Sequence, residues 1–448
     1  MGRMRVQLGD GERHNQGAFL VAFFPVLLAV APRPEFDTLH LLNFGVVVYV
    51  AACLMFVNFA HAELGRRYQE VIAWTGALTL TLLVSACVNA NSVTWRAIGV
   101  LIRPIILGVV FTFGYLASRY MSKEQLHRGL ALGAKIVLVI EAVTSAISVF
   151  NSSALSALYA ITDLESGGQL RIQGTVGNPN LFGWLVIQCA LAIVMFDRSM
   201  FWKIFGGVLA FLLILQAGSR SMVVVIFGGL VLCYLFYRHG GVKGKRRSIS
   251  RWLVIAAVLA GSGGILYFVL TTLASRFPYL GQLAIVLVTG NLNSVNSFQG
   301  RMDIWAALWG RVTSDGSALH MFFGLGPGTI SSADNDVLFS VVNFGFIFLI
   351  LTYLFAIRLF VVARHSADPS LSAYLRQYVV LSVLVGLQAD TLSGWNYPML
   401  MMFFGGIVYQ LSERSEPNDE QVVNPRVRFG SQLLITHRQA RGVGGGEG

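Results

Sequence analysis

Long apolar runs recur along the whole chain, and short polar stretches separate them. Each run is about 17 to 25 residues long, which is enough for an α-helix to cross a hydrocarbon core of about 30 Å. The runs lack the strict alternation of barrel strands, so they predict α-helices, which satisfy their backbone hydrogen bonds internally. The pattern predicts an all-α polytopic membrane protein with about twelve spans. They lie near residues 17–33, 41–60, 71–90, 97–117, 129–150, 179–197, 201–217, 221–237, 252–273, 338–363, 376–391 and 395–411.

The composition agrees with this pattern. Of the 448 residues, 55% are hydrophobic and only 12% are charged, whereas soluble domains carry roughly twice that charged fraction. A water-soluble fold could not bury so much apolar surface. The four cysteines lie inside apolar runs, and their spacing matches neither a metal site nor a disulfide framework.

The net charge of +11 could indicate a nucleic-acid partner, but the distribution of the charge favours another explanation. With the spans placed as above, 24 of the 33 Lys and Arg residues fall on one side together with both termini, and seven fall on the other. Because positively charged loops stay in the cytoplasm, the asymmetry predicts cytoplasmic termini and an even number of spans. The excess charge is therefore mostly a signal of topology, with some attraction to anionic membrane lipid expected, and no nucleic-acid partner is expected.

Residues 1–411 are predicted to form a single transmembrane domain, and the polar tail at 412–448 is predicted to be disordered. The only long loop, residues 274–337, falls on the outer side between the ninth and tenth spans. It contains a predicted interfacial helix near 297–312. There Ile304, Trp305, Leu308 and Val312 form an apolar face, while Arg301 and Arg311 lie off it.

The first candidate motif lies at the outer start of the sixth span and runs from Arg171 to Asn180. Gly177 and Pro179 are predicted to set a tight turn, with Asn178 as the helix N-cap and Pro179 in the first helical turn. Free N–H groups at a helix N-terminus can bind an anion, and Arg171 precedes them closely. The structural alternative is a capped helix with a snorkelling arginine.

Further motifs follow on the same predicted side. Arg220 lies in a short turn, Gly-Ser-Arg-Ser, between two spans, and this turn could equally be an ordinary polar turn. Arg301 belongs to a Gly-Arg-x-x-Ile-Trp segment in the long loop. The glycines of Gly324-Leu-Gly326-x-Gly are expected either to expose backbone amides to a ligand or to form turns.

An acidic motif, Asp334-Asn335-Asp336, opens the tenth span. Ser331-x-x-Asp334 fits a capping box. Residues two apart on a helix do not share a face, so metal binding by the two aspartates is disfavoured and a single carboxylate acting as base is preferred. No metal and no cofactor are expected.

Charged residues within or near spans often mark function. Asp390 is one candidate, and Arg103 is another unless it snorkels outward. Lys135 and Glu141 could instead form a structural pair. His320, in the long loop, is a further candidate for acid–base chemistry.

Taken together, these motifs resemble the bacterial O-antigen ligase and O-antigen polymerase superfamily, the WaaL-like and Wzy-like proteins. The resemblance extends from about Arg171 to Gly405 and includes the long outer loop and the order of the motifs. Asp390 with the following Ser-Gly and Pro398 is similar to the family's C-terminal segment. Ligases typically carry a histidine where this chain has Asp334, whereas polymerase-like members more often have an Asp-Asn pair, which favours a polymerase.

The resemblance implies a metal-independent, GT-C-like membrane glycosyltransferase in the bacterial inner membrane with a periplasmic active site. Its donor and acceptor would be undecaprenyl-diphosphate-linked oligosaccharides, and the product an O-antigen, capsule or exopolysaccharide. A chain-length regulator and a flippase would be further partners. Arg171, Arg220 and Arg301 would bind the diphosphate, and Asp334 would be the general base, with His320 as the second candidate. Gly177, Asn178, Pro179, Asn180, Gly324, Gly326, Asn335 and Asp390 would shape the site.

Two other functions remain open at this stage. A ligase would move finished glycan from undecaprenyl diphosphate to lipid A-core, so the acceptor distinguishes it from a polymerase. A transporter or flippase for lipid-linked sugars would show internal repeats and charges along a path through the bilayer. The sequence shows no convincing repeat, and most of the candidate arginines lie on one side.

Overall fold

The fold was analysed in a computed structural model that describes residues 21–29, 45, 49, 65–90, 96–159, 165–166, 169–239, 264, 296–314, 318–330, 332–389, 391–392 and 396–413. The regular structure of these residues is helical, apart from a two-residue antiparallel pairing of Glu165–Ser166 with Gln169–Leu170. The main helices, in chain order, are α1 (Arg66–Val88), α2 (Arg96–Tyr120), α3 (Lys123–Phe150), α4 (Pro179–Phe196), α5 (Met200–Ala217), α6 (Arg220–His239), α7 (Asn296–Ser314), α8 (Ala318–Phe323), α9 (Asp336–Ala363), α10 (Pro369–Gly386) and α11 (Asn396–Glu413).

Six of the described helices, α1 to α5 and α9, are long and apolar enough to cross a membrane. The protein is therefore a helical membrane protein, as the apolar runs predict. Helices α6, α10 and α11 lie where three more spans are predicted. The predicted spans at 41–60 and 252–273 lie almost wholly outside the described residues, and only 21–29 of the first span is described. The total of about twelve spans stays a prediction.

Helix α10 begins seven residues before the predicted boundary at 376. The Asp368 side chain caps it, because its carboxylate accepts hydrogen bonds from the amides of Ser370 at 2.9 Å and Leu371 at 3.3 Å. Pro369 occupies the first turn, where the missing N–H is no loss. A prediction based on hydropathy placed the boundary too late because the residues near this helix start are polar.

Close backbone contact at glycines holds the main core together. A Cβ atom on Gly114 of α2 would lie 2.1 Å from the carbonyl oxygen of Phe403, and one on Gly406 of α11 would lie 2.1 Å from that of Phe111. Small residues at helix contacts let membrane helices approach closely. The fully buried rings of Phe111 and Tyr409 then meet edge to face, with centroids 5.2 Å apart.

Helix α9 is broken at Gly345, which has φ +83° and ψ 176°. The loop after α8 packs into the break, where the Leu325 amide donates to the Val342 carbonyl at 2.7 Å. A Cβ atom on Gly345 would lie 2.1 Å from the carbonyl oxygen of Phe322. The break therefore fixes the segment that leads from α8 into the start of α9.

The candidate motifs meet at one end of the bundle, which we call the motif end. It contains the first residues of α4, α6, α9 and α11, the last residues of α5 and α10, and the described parts of the segments 169–178 and 296–335 that lead into α4 and α9. The Tyr397 hydroxyl at the start of α11 donates to the Leu181 carbonyl of α4 at 2.7 Å. The Asn335 side-chain amide, before α9, donates to the Leu387 carbonyl after α10 at 3.3 Å. The first bond joins α11 to α4, and the second joins the start of α9 to the end of α10.

Candidate functional site

Arg171 and the Gly-Ser-Arg-Ser turn, which are far apart in sequence, lie together at the motif end. The Arg171 Nε donates to the Ala217 carbonyl at 3.2 Å, and the Ile172 amide donates to the Gln216 carbonyl at 3.4 Å. Gly218 ends α5 in the left-handed conformation, with φ +63°. The half-buried Arg171 is thus held at the negative end of a helix dipole. This bond fixes the Arg171 Nε against the end of α5.

A buried side-chain hydrogen bond connects the same two segments. The Ser219 hydroxyl donates to the Asn180 side-chain oxygen at 2.7 Å. Asn180, predicted to shape the site, therefore joins the start of α4 to the start of α6. The backbone of Arg220 begins α6, while its side chain lies outside the described residues, so its predicted role in binding diphosphate stays a prediction.

The predicted N-cap at Asn178 is confirmed. Its side-chain oxygen accepts hydrogen bonds from the amides of Asn180 at 2.9 Å and Leu181 at 3.3 Å, and Pro179 occupies the first turn. Gly177, with φ +75°, supplies the preceding turn. The prediction that this N-terminus offers free N–H groups to an anion is wrong, because the cap accepts two of them and Pro179 has none.

Arg301 of α7 and Asp334 are brought together, with Arg301 Nε 3.5 Å from Asp334 Oδ2. Their side chains are 27% and 39% exposed, respectively, so this pair is open to solvent. Asp334 adopts φ +50°, the only positive φ of a non-glycine residue in the described chain. Such backbone strain persists where the surrounding structure holds it, often at functional sites.

The predicted apolar face of α7 is partly wrong. Leu308 and Val312 are buried against α9, but Ile304 is 56% exposed. Arg301, predicted to lie off the face, is on the packed stripe with Trp305, Leu308 and Val312, because the spacing of four, three and four residues follows one helix face. The helix therefore packs on protein and points Arg301 towards Asp334.

Trp305 fixes the same contact from the next turn of α7. Its indole N–H donates to the Ala333 carbonyl at 2.9 Å, one residue before Asp334. Trp309 lies further along and meets Phe346 edge to face, with ring centroids 6.2 Å apart. Trp305 therefore tethers α7 to the start of α9.

Asn335 and Asp336 hold the start of α9 in place. Asn335 is the N-cap, and its side-chain oxygen accepts from the Leu338 amide at 3.1 Å. Asp336 is buried, and its Oδ2 accepts from the Thr391 amide at 2.9 Å, the Thr391 hydroxyl at 2.8 Å and the Leu392 amide at 2.7 Å. Asp334 and Asp336 thus have different partners, as their spacing predicts. Asp390, next to Thr391, and Ser331 lie outside the described residues.

The glycines after α8 form turns, which was one of their two predicted roles. Gly324, Gly326 and Gly328 have φ values of +73°, +112° and +82°. A Cβ atom on Gly324 would lie 2.5 Å from the Phe344 amide nitrogen, so this segment needs glycine to lie against the break in α9. His320 lies on α8, where its carbonyl accepts from the Gly324 amide at 2.8 Å, and its role as an acid or base stays a prediction.

Lys135 and Glu141, offered as a possible pair, have other partners. Lys135 forms an ion pair with Asp197 and lies over the Trp202 ring, 4.8 Å from its centroid. Glu141 accepts a hydrogen bond from the Thr175 amide at 3.0 Å.

Sequence reasoning missed the structural roles of Asp336 and Tyr397. The acid at 336 and the polar residues after α10 were signals that could have indicated them.

Comparison with models of known protein families finds no family that matches this chain. Comparison with curated proteins likewise finds no significantly similar sequence.

Proposed function

We propose that the chain is a glycosyltransferase that polymerises undecaprenyl-diphosphate-linked oligosaccharide repeat units. One observation carries the proposal: Arg301 and Asp334 form a partly exposed pair, 3.5 Å apart, at the end of the bundle where Arg171 also lies. A cation for a leaving diphosphate and a carboxylate for an acceptor proton are the two groups that glycosyl transfer from a lipid diphosphate needs.

The reaction is a substitution at the anomeric carbon of the donor sugar. The acceptor hydroxyl oxygen forms the new bond to that carbon while the carbon–oxygen bond to the diphosphate breaks. The hydroxyl proton passes to the Asp334 carboxylate, and the electron pair leaves with undecaprenyl diphosphate. Asp334 is 39% exposed, so an acceptor sugar can reach its carboxylate from outside the bundle.

Arginine is well suited to the leaving group. Guanidinium groups bind phosphate oxygens through paired, charge-assisted hydrogen bonds, and such contacts strengthen where water is excluded. We assign Arg171 and Arg301 to the diphosphate, with Arg220 as a third group on the basis of sequence. Both side chains are half-buried, the Arg171 Nε is held by the Ala217 carbonyl, and Arg301 lies beside Asp334, which supports this role.

The proposal includes the membrane arrangement expected from sequence. It puts the motif end on the periplasmic side of the bacterial inner membrane and both termini in the cytoplasm, with about twelve spans. The ion-paired residues Lys123, His127 and Asp368 belong to the opposite end of the bundle, which agrees with the positive charge expected on the cytoplasmic side. Donor and acceptor would both be lipid-linked repeat units of an O-antigen, capsule or exopolysaccharide.

Deletion of the gene, with complementation by the wild type, tests the proposal through glycan length and lipid-linked intermediates. A polymerase predicts that deletion leaves single repeat units on the carrier or on lipid A-core, and that the wild type restores long chains. Accumulation of long lipid-linked polymer with no transfer to lipid A-core would identify a ligase. Accumulation of repeat units on the cytoplasmic face would identify a flippase.

A further inference from the structure

Glu141 lies fully buried in helix α3, at 0% exposure, and contacts the loop that contains Arg171. One carboxylate oxygen, Oε2, accepts from the Thr175 amide at 3.0 Å and lies 3.4 Å from the Thr144 hydroxyl. The other oxygen lies 2.5 Å from the Thr175 hydroxyl. Glu141 is nine residues before the end of α3, which corresponds to about 14 Å of helix. The loop therefore descends into the bundle to reach this carboxylate.

The backbone of the loop is shaped to allow this approach. Gly174 has φ +56°, a conformation that side chains rarely adopt. A Cβ atom at this position would lie 2.3 Å from Glu141 Oε2 and 2.3 Å from the Phe182 ring. Both the conformation and the space at residue 174 thus require glycine. A loop with this geometry stays in place only if groups such as Glu141 hold it.

The Thr175 hydroxyl extends the contact to a third part of the chain. It lies 2.5 Å from the Ala29 carbonyl oxygen, in the helical segment at residues 21–29. Glu141 and Ala29 therefore hold Thr175 from two sides. Arg171, four residues earlier, is fixed at its own end by the Ala217 carbonyl. The position of the Arg171 guanidinium follows from these two attachments.

We propose that Glu141 is a positioning residue of the candidate site, which holds the Arg171–Asn178 loop from inside the membrane domain. It acts on the ligand through Arg171 and does not touch the ligand itself. The link to a phosphate ligand rests on the proposed function, whereas the loop contact does not. An intramembrane carboxylate is costly and is usually retained for a role, and this contact supplies one.

The chemistry of the contact distinguishes two substitutions. In Glu141→Gln, the amide oxygen can accept the Thr175 N–H, and the amide nitrogen can donate to the Thr175 hydroxyl, which in turn donates to Ala29. The Thr175 amide, the Thr175 hydroxyl and the Ala29 carbonyl then all keep their partners. In Glu141→Leu, the leucine fills a similar volume but cannot accept a hydrogen bond. The buried Thr175 amide then loses its acceptor, and the loop loses its attachment.

Hydrogen exchange of the purified full chain in nanodiscs tests the loop contact. Glu141→Leu is expected to raise exchange of the 171–178 amides by about tenfold or more, without a matching rise in α4 or α5, and Glu141→Gln to leave it within about threefold of wild type. Ser145→Ala, a buried change in the same helix, is the matched control and should leave loop exchange unchanged. Unchanged loop exchange in Glu141→Leu would overturn the proposal.

Two further measurements separate positioning from general stability and from the proposed function. If Glu141→Leu does not fold, Thr175→Val is measured in its place. Raised loop exchange is expected in this variant, and unchanged loop exchange would contradict the proposal. Farnesyl diphosphate serves as the binding probe, and its Kd should rise about tenfold in Glu141→Leu and recover in Glu141→Gln. An unchanged Kd in Glu141→Leu would reject the positioning role. Failure of the wild type to bind the probe would reject the diphosphate site, while loop exchange would still decide the contact.

Discussion

The two ends of the helical bundle use their charged residues differently. At the opposite end, Arg358 binds both oxygens of Glu70, at 2.5 and 2.8 Å, and His127 lies 2.7 Å from the buried Asp368 carboxylate. At the motif end, Arg301 is 3.5 Å from Asp334, and Arg171 donates to a backbone carbonyl. The two pairs at the opposite end are therefore shorter than the Arg301–Asp334 pair at the motif end.

The backbone differs in the same way. The positive-φ positions of the described chain are Gly345, inside α9, and seven residues in the turns of the motif end: Gly174, Gly177, Gly218, Gly324, Gly326, Gly328 and Asp334. Conformations of this kind are retained where the structure over-determines them and are frequent at ligand sites. The comparison teaches that the opposite end is built on short ion pairs, whereas the motif end combines a longer ion pair with turns of positive φ.

Removing one arginine from each end gives the largest expected contrast. Arg301→Ala should lower polymer formation by about 100-fold or more, the usual effect of losing one group that stabilises developing charge. Arg358→Ala should leave polymer formation near wild type and lower stability by about 1 kcal/mol or less, because the pair is partly exposed. Glycan length in complemented cells, normalised to protein in the membrane, measures the first effect. Loss of polymer in both variants would remove the functional distinction between the ends.

Adding one methyl group at a glycine tests the strained backbone. Gly174→Ala should destabilise the protein by about 2–4 kcal/mol, because its Cβ meets Glu141 and Phe182 and its φ is unfavourable. Gly207→Ala in α5 is the matched control, since nothing lies within 4 Å of its Cβ, and alanine favours the helix. Thermal unfolding in detergent compares the two. Equal melting temperatures would contradict a strained loop at residue 174.

Two aspartates in one motif separate function from structure. Asp336→Ala should lower stability by about 2–4 kcal/mol, because three donors from Thr391 and Leu392 lose a buried acceptor. Asp334→Ala should change stability by about 1 kcal/mol or less but abolish polymer formation. Unfolding in detergent and glycan length in cells are measured for both variants. A fully active Asp334→Ala protein would exclude Asp334 as the base.

The smallest expected effect is on the pH dependence of stability at the opposite end of the bundle. Burial raises the pKa of Asp368, but the hydrogen bond and charge of His127, together with Lys123, outweigh it and hold that pKa below its usual value. A lowered folded-state pKa means that this group stabilises the fold above the unfolded-state pKa of about 3.9, and that the contribution is lost as the pH falls through the folded pKa. Asp368→Asn should flatten the pH dependence of the melting temperature below about pH 4. If the melting temperature of the variant depends on pH as steeply as that of the wild type, other carboxylates cause the dependence.

The sequence predicts local features well and long-range partners poorly. The helical spans α1 to α5 and α9 and the Asn178 cap follow from hydropathy and local hydrogen bonding, which depend on neighbouring residues. The Asp336 contact with Thr391 joins residues 55 apart, and no periodicity indicates such a partner. Arg301 was assigned to the wrong face of α7 because an aliphatic stem can lie on a packed stripe while its head remains polar. The Arg220 side chain and Asp390 lie outside the described residues, so their roles stay predictions.

Binding of undecaprenyl diphosphate to the purified protein in nanodiscs tests the central claim most directly. A diphosphate site at the motif end predicts saturable binding that weakens about tenfold or more in Arg171→Ala and in Arg301→Ala, and that is unchanged in Arg358→Ala. Equal affinity in the wild type and all three variants, or no binding by a folded wild type, would contradict the account.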